Sequence, residues 1–182
     1  MTMKPEEQLV HDMKRGDRAA MRSFYEMYSG YAMAAALRYV PDKDDAADIL
    51  QDSMMKAFSA IGTYEYRGEG MLRPWIMRIV ANEALGFIRR HNAITFTDDI
   101  PDTTPDEEPD IAHVSDERLS QLIASLPEGY RIVLNMFVFD EMSHKEIAAK
   151  LGITPSTSAS QFFHAKKLLA RMIKEETRKE AI

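Results

Sequence analysis

Residues 143–169, SHKEIAAKLGITPSTSASQFFHAKKLL, contain the signals for two consecutive helices separated by a tight turn. Ser143 and Glu146 have the spacing of a capping box, in which each side chain pairs with a backbone amide of the other residue. Gly152 predicts the end of the first helix, because glycine adopts the left-handed conformation at low cost. The threonine–proline pair at 154–155 predicts the start of the second helix. The stretch is therefore predicted to be a helix-turn-helix.

The second of these helices is predicted to bury one face and to expose the other. The residues of the buried face recur at helical spacing: Ser158, Phe162, Ala165, Leu169 and Met172. The polar residues have side chains that can hydrogen-bond to base edges and phosphates: Ser156, Thr157, Ser160, Gln161, His164 and Lys167. An ordinary helical hairpin in a bundle is the alternative, but its surface would usually carry Glu and Lys instead. DNA binding by this helix is therefore favoured.

The composition limits the class of protein and its compartment. The 182 residues include no Cys, which excludes disulfides and Cys-based zinc sites and suits a reducing compartment. The N-terminal MTMKPEEQ lacks the features of a signal peptide, and no apolar run approaches the length needed to span a membrane. We expect a soluble, cytoplasmic protein without membrane insertion.

The net charge of −6 is concentrated in one segment. Residues 98–110, DDIPDTTPDEEPD, carry seven acids and no Lys or Arg, which leaves 23 basic against 22 acidic residues elsewhere. The acidity therefore belongs to a linker and not to the folded parts. The remaining balance is too small for strong phosphate binding by the chain alone, because that affinity grows with the number of phosphates neutralised.

An acidic helix is predicted from about Asp44 to Ile61, after a helix that Asp17 caps and that runs towards Val40, with a possible bend at Gly30. The residues predicted to face the core are Ala47, Leu50, Met54, Ala57 and Ile61. The residues predicted to lie on the outer side are Asp45, Asp48, Gln51 and Asp52. Helical spacing spreads these carboxylates along a face, which disfavours a metal site. The face is either solvated surface or a docking surface for a basic partner.

A loop at Gly62–Gly70 contains Tyr64, Tyr66 and Arg67, residue types that can stack on an unpaired base. The alternative is that the two tyrosines pack on the core of the domain. A last helix of this region, from about Met71 to Arg90, is predicted to bury five apolar residues: Leu72, Trp75, Ile76, Ile79 and Phe87. Arginines of the loop and the helix form a basic surface that suits phosphate: Arg67, Arg73, Arg78, Arg89 and Arg90.

The fold class is predicted to be all-α, with two small helical domains joined by an acidic flexible linker. The predicted boundaries are 1–92 for the N-terminal domain, 93–114 for the linker and 115–182 for the C-terminal domain. In the last domain, helices at Glu117–Leu126 and Glu128–Phe139 precede the helix-turn-helix. Glycine-rich phosphate loops, metal-ligand spacings and activated nucleophiles are missing from the sequence, so we do not expect an enzyme or a bound metal.

The order DDAADILQDSMMKAF, loop, MLRPWIMRIVANEALGFIRR, linker and helix-turn-helix resembles the extracytoplasmic-function (ECF) sigma factors of bacterial RNA polymerase. The resemblance covers nearly the whole chain. It implies a sigma factor that docks on the clamp helices of core RNA polymerase through Asp45, Asp48, Gln51 and Asp52. It also implies two contacts with promoter DNA and, commonly, an anti-sigma factor that holds the protein inactive.

The resemblance assigns the −10 promoter element to the loop and the last helix of the N-terminal domain, which would recognise and open it. The residues that it implies are Tyr64, Tyr66, Arg67, Arg73, Arg78 and Asn82. The polar residues 156–167 of the helix-turn-helix would read the −35 element, and the acidic linker would thread towards the active-site cleft of the polymerase. The alternative function is a self-sufficient helix-turn-helix regulator with an N-terminal sensor or dimerisation domain. A structural helical protein is a more distant one.

Overall fold

A computed structural model describes residues 5–91, 94–96 and 114–180, with the side chains described as far as Glu176. The chain divides into two compact units, Met1–His91 and Asn92–Ile182. All the regular secondary structure in the described ranges is helical, which confirms the predicted all-α fold with two helical domains. None of the described helices combines the length and the apolar character that a membrane span requires.

Four helices and one short 3-10 turn build the N-terminal unit. They are α1 (Pro5–Lys14), α2 (Arg18–Tyr39), α3 (Lys43–Ala60), the 3-10 turn Ile61–Thr63 and α4 (Leu72–His91). Asp17 caps α2 by accepting a hydrogen bond from the Ala19 amide at 2.7 Å, and Asp42 caps α3 in the same way. Both caps satisfy amides that have no partner inside the helix. The helix α2 continues through Gly30 without a break.

The core of the N-terminal unit lies between α2, α3 and α4. Phe24 and Leu72 are fully buried there, together with small residues that let the helices approach closely. Ala47 is exposed, so the prediction that it faces the core is wrong. Ala46 and Ile49 fill the core in its place, and Ser53 is buried beside them because its hydroxyl donates to the Ile49 carbonyl oxygen at 2.6 Å. The buried position of the polar Ser53 explains the wrong prediction, because the buried face of α3 was predicted from its apolar residues alone.

Four further helices form the described part of the C-terminal unit. They are α5 (Asp116–Ala124), α6 (Glu128–Val138), α7 (His144–Leu151) and α8 (Pro155–Glu180). The capping box of Ser143 and Glu146 is present at the start of α7, and Gly152 ends this helix in the left-handed conformation with φ 72°. The Thr154 hydroxyl accepts from the Thr157 amide at 3.0 Å and so caps α8. The predicted signals of the helix-turn-helix are confirmed.

The C-terminal core packs α8 against α5 and α6. Its buried cluster contains Ile123, Leu126, Tyr130, Leu134 and Ala165. Phe162, Leu169 and Met172 of α8 pack against this cluster, which confirms the predicted buried face of the second helix. Arg118 also joins α5 to the far end of α8 through a two-bond contact with Glu176, at 3.0 and 2.5 Å.

Candidate docking and nucleic-acid surfaces

The outer side of α3 is an exposed polar face. Asp48, Gln51 and Asp52 are exposed, and Asp45, one turn earlier, is half-buried. Met55 continues this face with 62% of its surface exposed. On the neighbouring side the Lys56 ammonium pairs with the Glu83 carboxylate at 2.6 Å and so ties α3 to α4. The face therefore presents acidic and amide groups, with an apolar residue at one end, on a helix that the core holds in place.

The loop between α3 and α4 holds its tyrosines against the domain. The Tyr64 ring lies 4.8 Å from the Trp75 ring, and the hydroxyl oxygens of Tyr64 and Tyr66 are both buried. Burial raises the pKa of both phenols, so they stay neutral. Arg67 is different, because its side chain is 78% exposed and has only a loose contact with Glu65, at 3.8 Å. In this conformation the tyrosines pack on the core, as in the alternative raised above, while Arg67 is accessible.

The first half of α4 presents a basic and polar surface to solvent. Arg73, Arg78 and Asn82 are all exposed. The Arg73 guanidinium lies over the Tyr31 ring, 4.0 Å from its centroid, in a cation–π contact with α2. This contact orients a cation that could meet a phosphate. Tyr31 was not among the sequence-predicted site residues, because its contact with Arg73 joins two helices that no local pattern connects.

The predicted DNA-reading residues of α8 differ in their exposure. Ser156 is exposed at the start of the helix, and four others are half-buried with a polar side at the surface: Thr157, Ser160, His164 and Lys167. Gln161 is fully buried. The prediction that Gln161 reads DNA therefore does not hold for this conformation, because a buried amide cannot meet a base edge. Gln161 lies three residues after Ser158 and four before Ala165, so helical spacing puts it on the buried face, and only its polarity suggested a surface position.

Part of the predicted linker lies beside Gly129, as does the Gln161 side chain. Residues 94–96 belong to the C-terminal unit and pack at the start of α6. A Cβ atom placed on Gly129 would lie 2.7 Å from the Thr95 carbonyl oxygen, 2.9 Å from the Gln161 Oε1 atom and 3.1 Å from the Phe96 ring. All three groups thus meet at a glycine, where the missing side chain leaves room. Residues 93 and 97–113 of the predicted linker lie outside the described residues.

Polar and aromatic contacts fix α8 against α7 at the turn. The His144 Nδ1 atom lies 3.0 Å from the Ser158 hydroxyl, within hydrogen-bonding distance. The His144 ring also stacks on Phe137, 4.6 Å between centroids, and Phe137 lies 4.3 Å from Phe162. These contacts set the angle between the two helices, so the exposed start of α8 is held as a rigid surface. Rigid placement of a helix is what groove reading requires.

The described residues offer no group of three or more His, Asp or Glu side chains arranged to hold a metal ion. The acids of α3 in particular do not converge on one point.

Comparison with known proteins matches both units to one family. The model of sigma-70 region 2 matches residues 24–94, and the model of sigma-70, region 4 matches residues 116–169. Together they span more than half of the chain. The RNA polymerase sigma-H factor of Pseudomonas aeruginosa is 26% identical over 95% of this chain and 96% of its own length. The chain belongs to the ECF sigma factors. The RNA polymerase sigma factor SigV of Bacillus subtilis is 29% identical over 78% of this chain and 83% of its own length.

Solved structures share the fold of this sigma factor. The sigma factor RpoE of Bartonella quintana, in complex with the anti-sigma factor NepR, has a TM-score of 0.52 and 20% identity over 84% of this chain and 96% of its own. The predicted family and the predicted sigma factor function are confirmed, and the self-sufficient regulator is not favoured. Region 2 falls on the unit with the acidic α3 face and the loop, and region 4 falls on the helix-turn-helix.

Proposed function

We propose that this sigma factor binds core RNA polymerase through the outer face of α3 and directs the enzyme to specific promoters. The observation that supports this most directly is the exposure of Asp48, Gln51 and Asp52 on a helix whose other side is locked into the core. Exposed acids that protein neighbours do not neutralise suit a basic partner surface. The names of the relatives also place RNA polymerase as their partner.

Each segment of the chain has its own proposed binding function. Residues 1–92 would dock on the polymerase and recognise and melt the −10 element. Residues 93–114 would connect the two domains, and residues 115–182 would bind the −35 element. The two compact units support this division, although residues 94–96 pack with the C-terminal unit and so shorten the free part of the connection.

Opening of the −10 element would use the loop and the start of α4. Arg67, Arg73 and Arg78 offer exposed cations for backbone phosphates, and the exposed Asn82 offers an amide that can pair with a base edge. Tyr64 and Tyr66 would leave their packed positions to stack on an unpaired base, since every base offers a face to an aromatic ring. The Trp75 ring, which contacts Tyr64, would remain as the floor of that site.

Reading of the −35 element would use the exposed start of α8 in the major groove. Ser156, Thr157 and Ser160 are short hydrogen-bonding residues close to the N-terminus of the helix, where phosphate binding is also favoured. His164 and Lys167 lie further along and suit backbone phosphates. Gln161 would contribute only after the segment at 94–96 moves away.

The other parts of the proposal follow from the family. The protein acts in the cell with the polymerase, has no catalytic residues of its own and needs no cofactor. An anti-sigma factor is the expected inhibitor, because the RpoE structure, which is similar in fold, is a complex with the anti-sigma factor NepR.

The test is reconstitution with core RNA polymerase. We expect the chain to co-elute with the core enzyme and to support run-off transcription from a subset of genomic fragments. The Arg67→Ala variant should lose activity on duplex promoters and regain it on a template with a pre-opened −10 region, with unchanged stability because Arg67 is exposed. A chain that binds duplex DNA tightly by itself, at half-sites set by its own symmetry, and ignores the polymerase would contradict the proposal.

A further inference from the structure

The carboxylate of Glu6 is buried in the N-terminal unit and reaches across it. Glu6 stands in the first turn of α1 and has 9% of its surface exposed. A buried carboxylate is stable only when it is hydrogen-bonded. Its Oε1 atom accepts from the Leu72 amide at 2.6 Å, and its Oε2 atom accepts from the Gly70 amide. Glu6 therefore bonds to the junction between the loop and α4, more than sixty positions along the chain.

The start of α4 needs such a partner from elsewhere. The residues before Leu72 are Gly70 and Met71, so the local sequence provides no Ser, Thr, Asp or Asn to cap the helix. The first amides of a helix have no partner within it, and they carry a partial positive charge. The carboxylate of Glu6 supplies both the acceptors and the opposite charge. Glu6 of α1 therefore caps the N-terminus of α4.

The same carboxylate acts electrostatically on three tyrosines of this unit, Tyr28, Tyr64 and Tyr66. Burial and the charge of Glu6 raise the pKa of Tyr28 to about 12, and both also raise the pKa of Tyr64 and Tyr66. The loop end is built on Gly68 and Gly70, with φ angles of 132° and 82°, a region that only glycine enters easily, and glycine restricts the backbone less than any other residue. Glu6 thus holds a point of the chain that two glycines would otherwise leave free to move.

We propose that Glu6 is a positioning residue for promoter opening, because its carboxylate fixes the Gly70–Leu72 end of the loop that carries Tyr64, Tyr66 and Arg67. This role rests on the function proposed above for the loop. Glu6 lies outside residues 24–94, which the region 2 model matches, so the anchor comes from a helix beyond that segment. With its Gly70–Leu72 end held by these hydrogen bonds, the loop can release its tyrosines towards an opened strand while the start of α4 keeps its position.

The first test follows the loop without any transcription. Trp75 is the only tryptophan and packs on Tyr64, so its fluorescence reports whether the loop is in place. Glu6→Gln keeps the size of the side chain but replaces one acceptor oxygen with an amide donor, so it cannot accept both hydrogen bonds. Glu7→Gln is the matched control. It removes the same charge at the neighbouring position, and the Glu7 side chain makes no such hydrogen bond in the described structure. We expect Glu6→Gln alone to raise the detached population of the loop on the order of tenfold, seen as increased acrylamide quenching.

The second test connects the anchor to promoter opening. With core RNA polymerase, Glu6→Gln should lower transcription from a duplex promoter by on the order of tenfold. A template with a pre-opened −10 region should restore it, while polymerase binding stays at the level of the native chain. Glu7→Gln should match the native chain on both templates. If Glu6→Gln loses its helical circular dichroism, Glu6→Asp replaces it, since aspartate keeps both oxygens but reaches less far.

The outcomes separate this inference from the function on which it rests. Quenching of Trp75 that is equal in Glu6→Gln and the native chain would overturn the anchor, even if Arg67→Ala behaves as proposed. A defect of Glu6→Gln that the pre-opened template does not relieve would overturn the role in opening and leave a structural one. A native chain that transcribes nothing, or an Arg67→Ala variant with full activity, would overturn the proposed function of the loop and this role with it.

Discussion

Combining Asp48→Arg with Gln51→Ala on α3 tests the docking surface directly. Both side chains are exposed, and Asp48 lies beyond the first turn of α3, where the helix dipole acts most strongly. Substitutions at exposed positions usually change the free energy of unfolding by no more than about 0.5 kcal/mol. Arg and Ala also have higher helix propensities than Asp and Gln. We therefore expect the variant to keep its helical circular dichroism and its melting temperature.

The loss of polymerase binding should be much larger than the change in stability. A hydrogen bond that involves a charged group contributes about 1.5–3 kcal/mol, and the Coulomb energy of two charges 4 Å apart near a protein surface is about 4 kcal/mol. Replacing the Asp48 carboxylate by a guanidinium removes the first contribution and reverses the sign of the second. A loss of at least about 3 kcal/mol in binding free energy follows, which is more than a hundredfold in Kd.

Fluorescence anisotropy of the labelled chain with increasing core RNA polymerase measures this Kd. Glu26→Arg is the matched control, because Glu26 is also an exposed acid, on α2, with only a loose contact to Arg22 at 3.4 Å. Its Kd should stay within about threefold of the native value, since that corresponds to less than 1 kcal/mol. If the double variant binds the polymerase within the same threefold while it is folded, the polymerase docks elsewhere. If the double variant unfolds, the assignment of Asp48 and Gln51 to the exposed face is wrong.

Three further changes test the C-terminal unit and the linker. Ser143→Ala should lower the free energy of unfolding of the unit in urea by about 1 kcal/mol, the usual effect of a lost N-cap, whereas Ser156→Ala at an exposed position should leave it unchanged. Equal unfolding midpoints for the two variants would show that the capping box contributes nothing. Gly129→Ala should displace the Thr95 backbone, because the new Cβ atom would lie 2.7 Å from the Thr95 carbonyl oxygen. Amide hydrogen exchange should then become faster at residues 94–96 while α6 stays protected. Unchanged exchange would show that the segment is not held there. A neutral replacement of residues 98–110 with equal length should reduce full-length transcripts more than open complexes, and equal yields would make this segment only a tether.

The sequence predicted those features whose signals are local. Ser143 with Glu146, Gly152, and Asp17 all act within four residues of the backbone groups that they satisfy, so spacing alone locates them. The buried face of α8 was equally accessible, because Phe162 and Leu169 follow the helical period. The two units could be separated because the composition changes abruptly between them.

The features that the sequence did not predict depend on contacts between distant segments. Glu6 satisfies amides that follow a different helix, and no pattern near residue 6 or residue 70 signals that bond. Gln161 has the polarity of a surface residue, yet it is fully buried, and its Oε1 atom lies beside Gly129, where a Cβ atom would be only 2.9 Å away. Ala47 was placed in the core because the period was counted from apolar residues alone, and Ser53 occupies a core position that polarity disguised.

The outer face of α3, the loop before α4 and the start of α8 differ in how far their proposed binding residues are exposed. This difference predicts an order of binding events. The α3 face is fully formed and exposed at Asp48 and Asp52. The surfaces proposed to contact DNA keep some of their residues covered, since the Tyr64 and Tyr66 hydroxyl groups and the Gln161 side chain are buried. The charge outside residues 98–110 is also too small to attract duplex DNA strongly, because counterion release scales with the number of phosphates neutralised. We therefore expect docking on the polymerase to come first, with the covered residues exposed only after the polymerase has brought the DNA close.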